Sequence, residues 1–183
     1  MACALVDVLV DNCTYTTSQT MDLGAVSAVF DCAAPFAAPT CGDDTVSNGI
    51  TLAVSVVTPA CTPTGSSPYW ADPSLTSVEF TFTYSLSVTA TDANGHTCTP
   101  AVIPGTPFIT YQNLTTSSGL QPLNYDCFLD SITPSITLVN QPAGTPVGCH
   151  VLVTTNWTVE LYSSQLQKQD LEMTACTPIP CPA

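Results

Sequence analysis

Basic residues are almost missing from this chain: Lys168 is the single cation, and there is no arginine. A nucleic-acid partner needs cations to meet its phosphates, and an anionic membrane surface needs them for the same reason. Both classes of partner are therefore excluded. Charge of either sign is scarce, at 8% of residues against about 25% in ordinary globular chains. Only two histidines occur, His96 and His150, and no G-x-S-x-G or phosphate-cradling glycine motif accompanies them. No catalytic residue is expected. No apolar run reaches the length of a membrane-spanning helix. Met1 to Val10 is apolar but has no basic segment before it and carries Asp7, so a secretory signal is not expected either. Helical periodicity is scarce too, with one short candidate at Ser163–Met173.

Cysteine, threonine and hydrophobic residues are plentiful. There are 29 threonines, 45% of residues are hydrophobic, and 14 acids against one base give a net charge of −13. Low hydrophobicity with high charge density marks disorder, and this composition is the opposite. A length of 183 residues suits one domain with a substantial core. Ten cysteines scattered along the chain read as a disulfide framework in an oxidising compartment. The closest two, Cys176 and Cys181, are spaced more widely than the C-x2-C pairs usual in zinc sites. No metal or other cofactor is expected.

Period-two alternation dominates the rest. From Ser77 to Thr91, Val78, Phe80, Phe82, Tyr84, Leu86 and Val88 alternate with Glu79, Thr81, Thr83, Ser85, Ser87 and Thr89, the pattern of a half-buried strand. The strand ends at Asp92-Ala93-Asn94-Gly95-His96, where Asn-Gly favours a type I′ turn into a hairpin. Cys149 to Leu161 alternates likewise, with Cys149, Val151, Val153, Trp157, Val159 and Leu161 on one face and His150 on the other. Weaker strands are expected at Leu5–Val10, Ala25–Phe30, Ile50–Val57, Pro107–Leu114 and Ser135–Asn140. Clusters of Pro, Gly, Ser and Asp separate them, including Pro35–Asp44 and Thr58–Pro68. Seven or more such strands indicate an all-β sandwich, jelly-roll-like in outline. Residues 1–13 read as an N-terminal arm, 14–175 as the sandwich domain, and 176–183 as a Cys/Pro-rich tail.

Asp126, Asp130 and Glu160 supply carboxylates for glycoside hydrolysis, with no sign of convergence. Asp43-Asp44 and Asp92 with Asn94 lack the spaced acids of a calcium loop, which favours plain turns. Trp70, Trp157, Tyr69 and Tyr111 could form a sugar platform, although a core role is the more economical one for Trp157. Sequons occur at Asn12, Asn113 and Asn156.

The segment VEFTFTYSLSVTATDANGHTCT, with Asp92, Gly95 and Cys98 in a D-x-x-G-x-x-C turn, resembles cysteine- and Thr-rich spore-surface proteins of Firmicutes. The acidity and end-to-end cysteines are also similar to subunits of bacterial endospore appendages. That resemblance implies a jelly-roll domain that stacks into a fibre, with a cysteine-bearing N-terminal arm cross-linking neighbours. The adjacent Cys-Cys pair of such arms is not present; by position Cys3 and Cys13 would be the arm cysteines. On this reading Cys32, Cys41, Cys61, Cys98, Cys127 and Cys149 are structural disulfide cysteines, and Cys3, Cys13, Cys176 and Cys181 are candidates for intersubunit bonds. The expected partner is the chain itself, on a spore surface or otherwise outside the cell, with an anchor protein unspecified. A monomeric adhesin or carbohydrate-binding module is the main rival, followed by a secreted hydrolase and a viral capsid jelly roll.

Overall fold

The computed structural model describes residues 3–37, 40–41, 46–47, 50–115, 123–140 and 149–170. Two strands organise it. One, β5 (Leu75–Thr91), buries Val78, Phe80, Phe82, Tyr84, Leu86, Val88 and Ala90 on one face. The other, β10 (Cys149–Asp170), buries Val151, Val153, Trp157, Val159 and Leu161. Each is the inner strand of its own antiparallel sheet. The first sheet has the order β1 (Cys3–Ala25), β10, β9 (Asn124–Asn140). In the second, β4 (Thr51–Pro68) pairs one side of β5. Three short strands, β6 (Thr97–Cys98), β7 (Ile103–Pro104) and β8 (Phe108–Thr115), share the other side. A two-stranded ribbon, β2 (Thr40–Cys41) with β3 (Val46–Ser47), and one helical turn, α1 (Val26–Val29), complete the described part.

The two sheets pack face to face through aromatic rings. Trp157 lies edge-on to Tyr84, Phe108 and Phe82, with centroids at 5.2, 5.3 and 6.0 Å, while Phe82 stacks on Phe108 at 4.6 Å. Edge-to-face and offset stacking are the favoured ring arrangements. Trp157 is 1% exposed, and its Nε1 donates to Thr155 Oγ1 at 2.9 Å. The helical turn α1 adds Val26, and the residue after it, Phe30, joins this core as well. The class is therefore all-β, in two antiparallel layers. This strand order, with β9 and β10 paired in one sheet, does not establish a jelly roll.

Several expectations shift. Ser163–Met173 is the one short helical candidate in the sequence, but β10 continues as a strand to Asp170, paired with β1 over Cys3–Leu9. Cross-strand partners outweigh a weak local helical preference. Ala25–Phe30, a weak strand by its sequence, instead makes one helical turn, Phe30 N–H donating to the Val26 carbonyl, which places both side chains in the core. Thr58–Pro68, a loop by its composition, belongs to β4. Its prolines are tolerated because β4 lies at a sheet edge, with register shifts at Val57/Ala60 and Pro63/Gly65. Finally, residues 3–13 are no separate arm. They are the first half of β1, in continuous antiparallel pairing with β10 from Cys3↔Asp170 to Cys13↔Leu161 save for one shift at Leu9/Asp11. The tail with Cys176 and Cys181, Asp43-Asp44 and residues 171–173 lie outside the described residues.

Candidate functional site: cysteines, hydroxyl faces and strand edges

Two disulfides fix the frame. Cys61 sits opposite Phe82 and Cys127 opposite Leu161, so both point inward, and their bond joins β4 of one sheet to β9 of the other. Cys32–Cys98 ties the segment after α1 to the end of the β5–β6 hairpin. Each bond closes a sequence separation of 66 residues. Cys149 is disulfide-bonded as well. Cys41 lies in β2 and Cys3 at the start of β1, with side chains outside the described part.

The turn that the sequence singled out is built around Asp92. Its Oδ1 accepts the backbone N–H groups of Asn94 and His96, both at 2.9 Å. Its Oδ2 accepts Ala37 N–H at 3.3 Å and faces His96 Nδ1 at 3.0 Å. Burial pushes this carboxyl upward, but the hydrogen bonds from His96, Ala37 and Asn94 outweigh it and hold it down at about 2. The backbone differs from the expected type I′ turn. Gly95 alone adopts positive φ (85°), and its N–H reaches the Asp92 carbonyl at 3.0 Å, while Asp92 N–H reaches His96. This is a three-residue loop with a glycine bulge. An aspartate that binds its own turn favours it.

Cys13 is the free cysteine among the described residues. It sits opposite Leu161 on the inner face, in the same row as Cys127 on the far side of β10. Cys127 meets Cys61 across its seam between sheets. Cys13, at the opposite seam, meets Gln112 of β8, with Sγ 3.9 Å from Oε1. Burial, and then the charge of Asp11, push its thiol up. Asp11 accepts both the N–H and the hydroxyl of Thr115, at 2.7 and 2.6 Å, which holds its carboxyl low. Beside it, opposite Asp11, Ser163 is fully buried, and its hydroxyl has no hydrogen-bond partner.

The outer faces carry hydroxyls in rows. Thr20 meets Thr154, Thr64 meets Thr81 and Thr89 meets Thr99, each at 3.0 Å. Glu79 accepts from Thr64 at 2.7 Å and from Tyr111 at 2.8 Å, and these bonds hold its carboxyl low. His150 lies on the outer face of β10 with Nδ1 2.8 Å from Asp22 Oδ2, a contact that lowers the Asp22 carboxyl.

The aromatic and acidic candidates do not converge. Trp157 belongs to the core, Trp70 is 91% exposed beside Tyr69 on the β4–β5 connection, and Tyr111 lies on the outer face of β8. Asp126 lines a polar depression with Asp7 and Tyr162. Asp130 instead lines an apolar groove of about 520 Å³ between β4 and β9, with Val54, Val56, Pro59, Leu129, Ile132 and Pro134. No group of three or more metal-ligating side chains occurs among the described residues. No family model, curated protein or solved structure matches this chain. No helix among the described residues is long and apolar enough to cross a membrane. Disulfides form and persist in oxidising surroundings, where this protein belongs.

The strand edges have unequal protection. β4 carries Pro59, Pro63 and Pro68 and two register shifts, and β9 carries Pro134 and a shift at Thr158/Val159 of its partner. Opposite β4, the edge is divided among β6, β7 and β8, with Pro100, Pro104 and Pro107 between or within them. β1 runs for 23 residues without a proline or a lysine, with its two register shifts at Leu9/Asp11 and Asp22/Gly24. Sequence reasoning placed the cysteines but not this difference, because edge and centre are decided by pairing.

Proposed function

We propose that the chain is a structural subunit that self-assembles into a disulfide-stabilised extracellular fibre or layer, on a bacterial spore surface. The observation that carries this reading is the stapling of one sheet to the other by Cys61–Cys127, in a sandwich with a 23-residue strand at its edge. A 183-residue chain has core enough to fold without staples. The added bonds suit a material that must endure, and an open edge suits a material that must extend. No catalytic role is assigned to any residue. The test is electrophoresis of native material without reductant or boiling, followed by negative-stain electron microscopy. Ladders and filaments or sheets are expected; a clean monomer band with isolated particles refutes the reading.

The exposed Trp70 favours a second reading, a carbohydrate-binding or adhesive module, since an exposed indole stacks on sugar rings. Glycan-array binding by a monomer, lost in Trp70→Ala, would establish it in place of the first.

A further inference from the structure

We infer that the polar depression on the outer face of the β1–β10–β9 sheet binds a linear aliphatic polyamine, with its end ammonium groups on Asp7 and Asp126 and its central nitrogen on Ser164. This goes beyond the assembly reading and does not depend on it.

The register builds the site. On one side of β10, Asp7 stands opposite Leu166 and Leu9 opposite Ser164. On the other side, Asn124 stands opposite Ser164 and Asp126 opposite Tyr162. Asp7 and Asp126 are therefore diagonal neighbours of Ser164, on its two sides and in opposite directions along the strand. Diagonal neighbours lie about 7–8 Å apart, which sets the two acids roughly 15 Å apart with Ser164 midway. Asp7, Leu9, Asn124, Asp126 and Ser164 all line one depression of about 440 Å³, together with Tyr162.

Ser164 is the residue that points to a ligand. It is 8% exposed although it lies on the outer face, and it lines the depression. Its hydroxyl makes no hydrogen bond among the described residues. A buried hydroxyl without a partner costs free energy that a bound donor recovers. Both carboxylates also act on the space beside it. Burial first, then the charge and hydrogen bond of Asp126 and the charge of Asp7, push the Tyr162 hydroxyl up. Lys168, the single base, stands opposite Leu5. That is about 20 Å along β10 from the row of Tyr162 and Asp126, too far to neutralise Asp126.

Magnitudes select the ligand. A calcium ion holds its oxygens at about 2.3–2.6 Å, so no single ion touches carboxylates on residues roughly 15 Å apart. An extended triamine such as spermidine spans roughly 11 Å between its end nitrogens by standard bond lengths. A charge-assisted hydrogen bond of about 2.8 Å at each end brings it to the span of the two acids. Its central nitrogen then falls at Ser164 as a donor, and its methylenes lie over the exposed Leu9.

The test is isothermal titration calorimetry of the full chain at physiological salt with three amines: spermidine, diaminooctane of equal length without the central nitrogen, and the shorter diaminobutane. Saturable binding of a single spermidine is expected, with diaminooctane weaker by roughly tenfold or more and diaminobutane weaker again. Asp7→Asn and Asp126→Asn should each weaken spermidine by roughly tenfold or more. Asp126→Asn keeps an oxygen for the Cys127 N–H that Asp126 accepts. Ser164→Ala should erase the preference for spermidine and leave diaminooctane binding as it was. Asp130→Asn, the same change of charge in the groove between β4 and β9, should leave all three amines unaffected. Absence of saturable binding overturns the site. So does an equal loss in Asp130→Asn, which would show diffuse attraction to the net charge. A preference that survives Ser164→Ala removes the assigned role of that hydroxyl and with it the proposal. Should Ser164→Ala fail to fold, the three amines on the parent chain decide alone, and equal affinities overturn the site.

Discussion

Asp92 gathers several hydrogen bonds on one carboxylate. Almost the whole side chain is buried, yet it gathers backbone donors from both ends of its turn and from Ala37. It therefore joins the β5–β6 hairpin to the segment that follows Cys32. Its carboxyl titrates near 2 instead of the usual 3.8. A folded-state value below the unfolded one means the charged form is preferred in the fold. The stability it adds is complete above about pH 4 and disappears as the pH falls towards 2. Asp92→Asn should lower the melting temperature at neutral pH, and the gap from the parent should shrink between pH 4 and pH 2. Thermal melts across that range test this; a gap independent of pH would show that the charge is not what holds the turn. Gly105 is the complementary case. Its N–H donates to the Tyr84 carbonyl at 2.9 Å, and an added Cβ would lie against the Tyr84 ring. Gly105→Ala should therefore loosen β7 from β5, seen as faster amide exchange at Ile103–Gly105.

At the scale of elements, disulfides act on the chain between them. Cys61–Cys127 spans 66 residues, including all of β5 and β8. Chain-entropy arithmetic for a loop of that length gives about 4 kcal/mol of stabilisation. The double variant Cys61→Ser with Cys127→Ser should lose about that much in chemical denaturation, together with protection at the β4–β9 seam. An unchanged midpoint would show that the core alone holds the two layers. The same seam explains the prolines of β4 and β9. An edge strand loses no ladder bond where its N–H faces outward, and proline there blocks further pairing. β1 has no such block over Asp11–Asp22, which makes the edges of the molecule chemically unequal.

The whole molecule carries −13, so every copy repels every other. Screening shortens from about 30 Å in 10 mM salt to about 3 Å in 1 M. Association should accordingly speed up roughly tenfold or more with added sodium chloride, followed by light scattering. Salt-independent assembly would mean that the joining surfaces lie away from the acids.

Alternation along Ser77–Thr91 and Cys149–Leu161 was enough to identify the two central strands and their buried faces. Side-chain periodicity reports directly which face of a strand meets the core, and Trp157 was legible in this way. The cysteine content and the excess of acids over bases likewise set an oxidising environment and an anionic surface without reference to any fold. Tertiary structure alone decided that Cys61 meets Cys127, that Ser163–Asp170 is strand, that Thr58–Pro68 tolerates its prolines, and that residues 3–13 lie along β10. Each of these depends on which segment lies alongside, and a ladder of backbone hydrogen bonds between distant residues leaves no local trace in either partner.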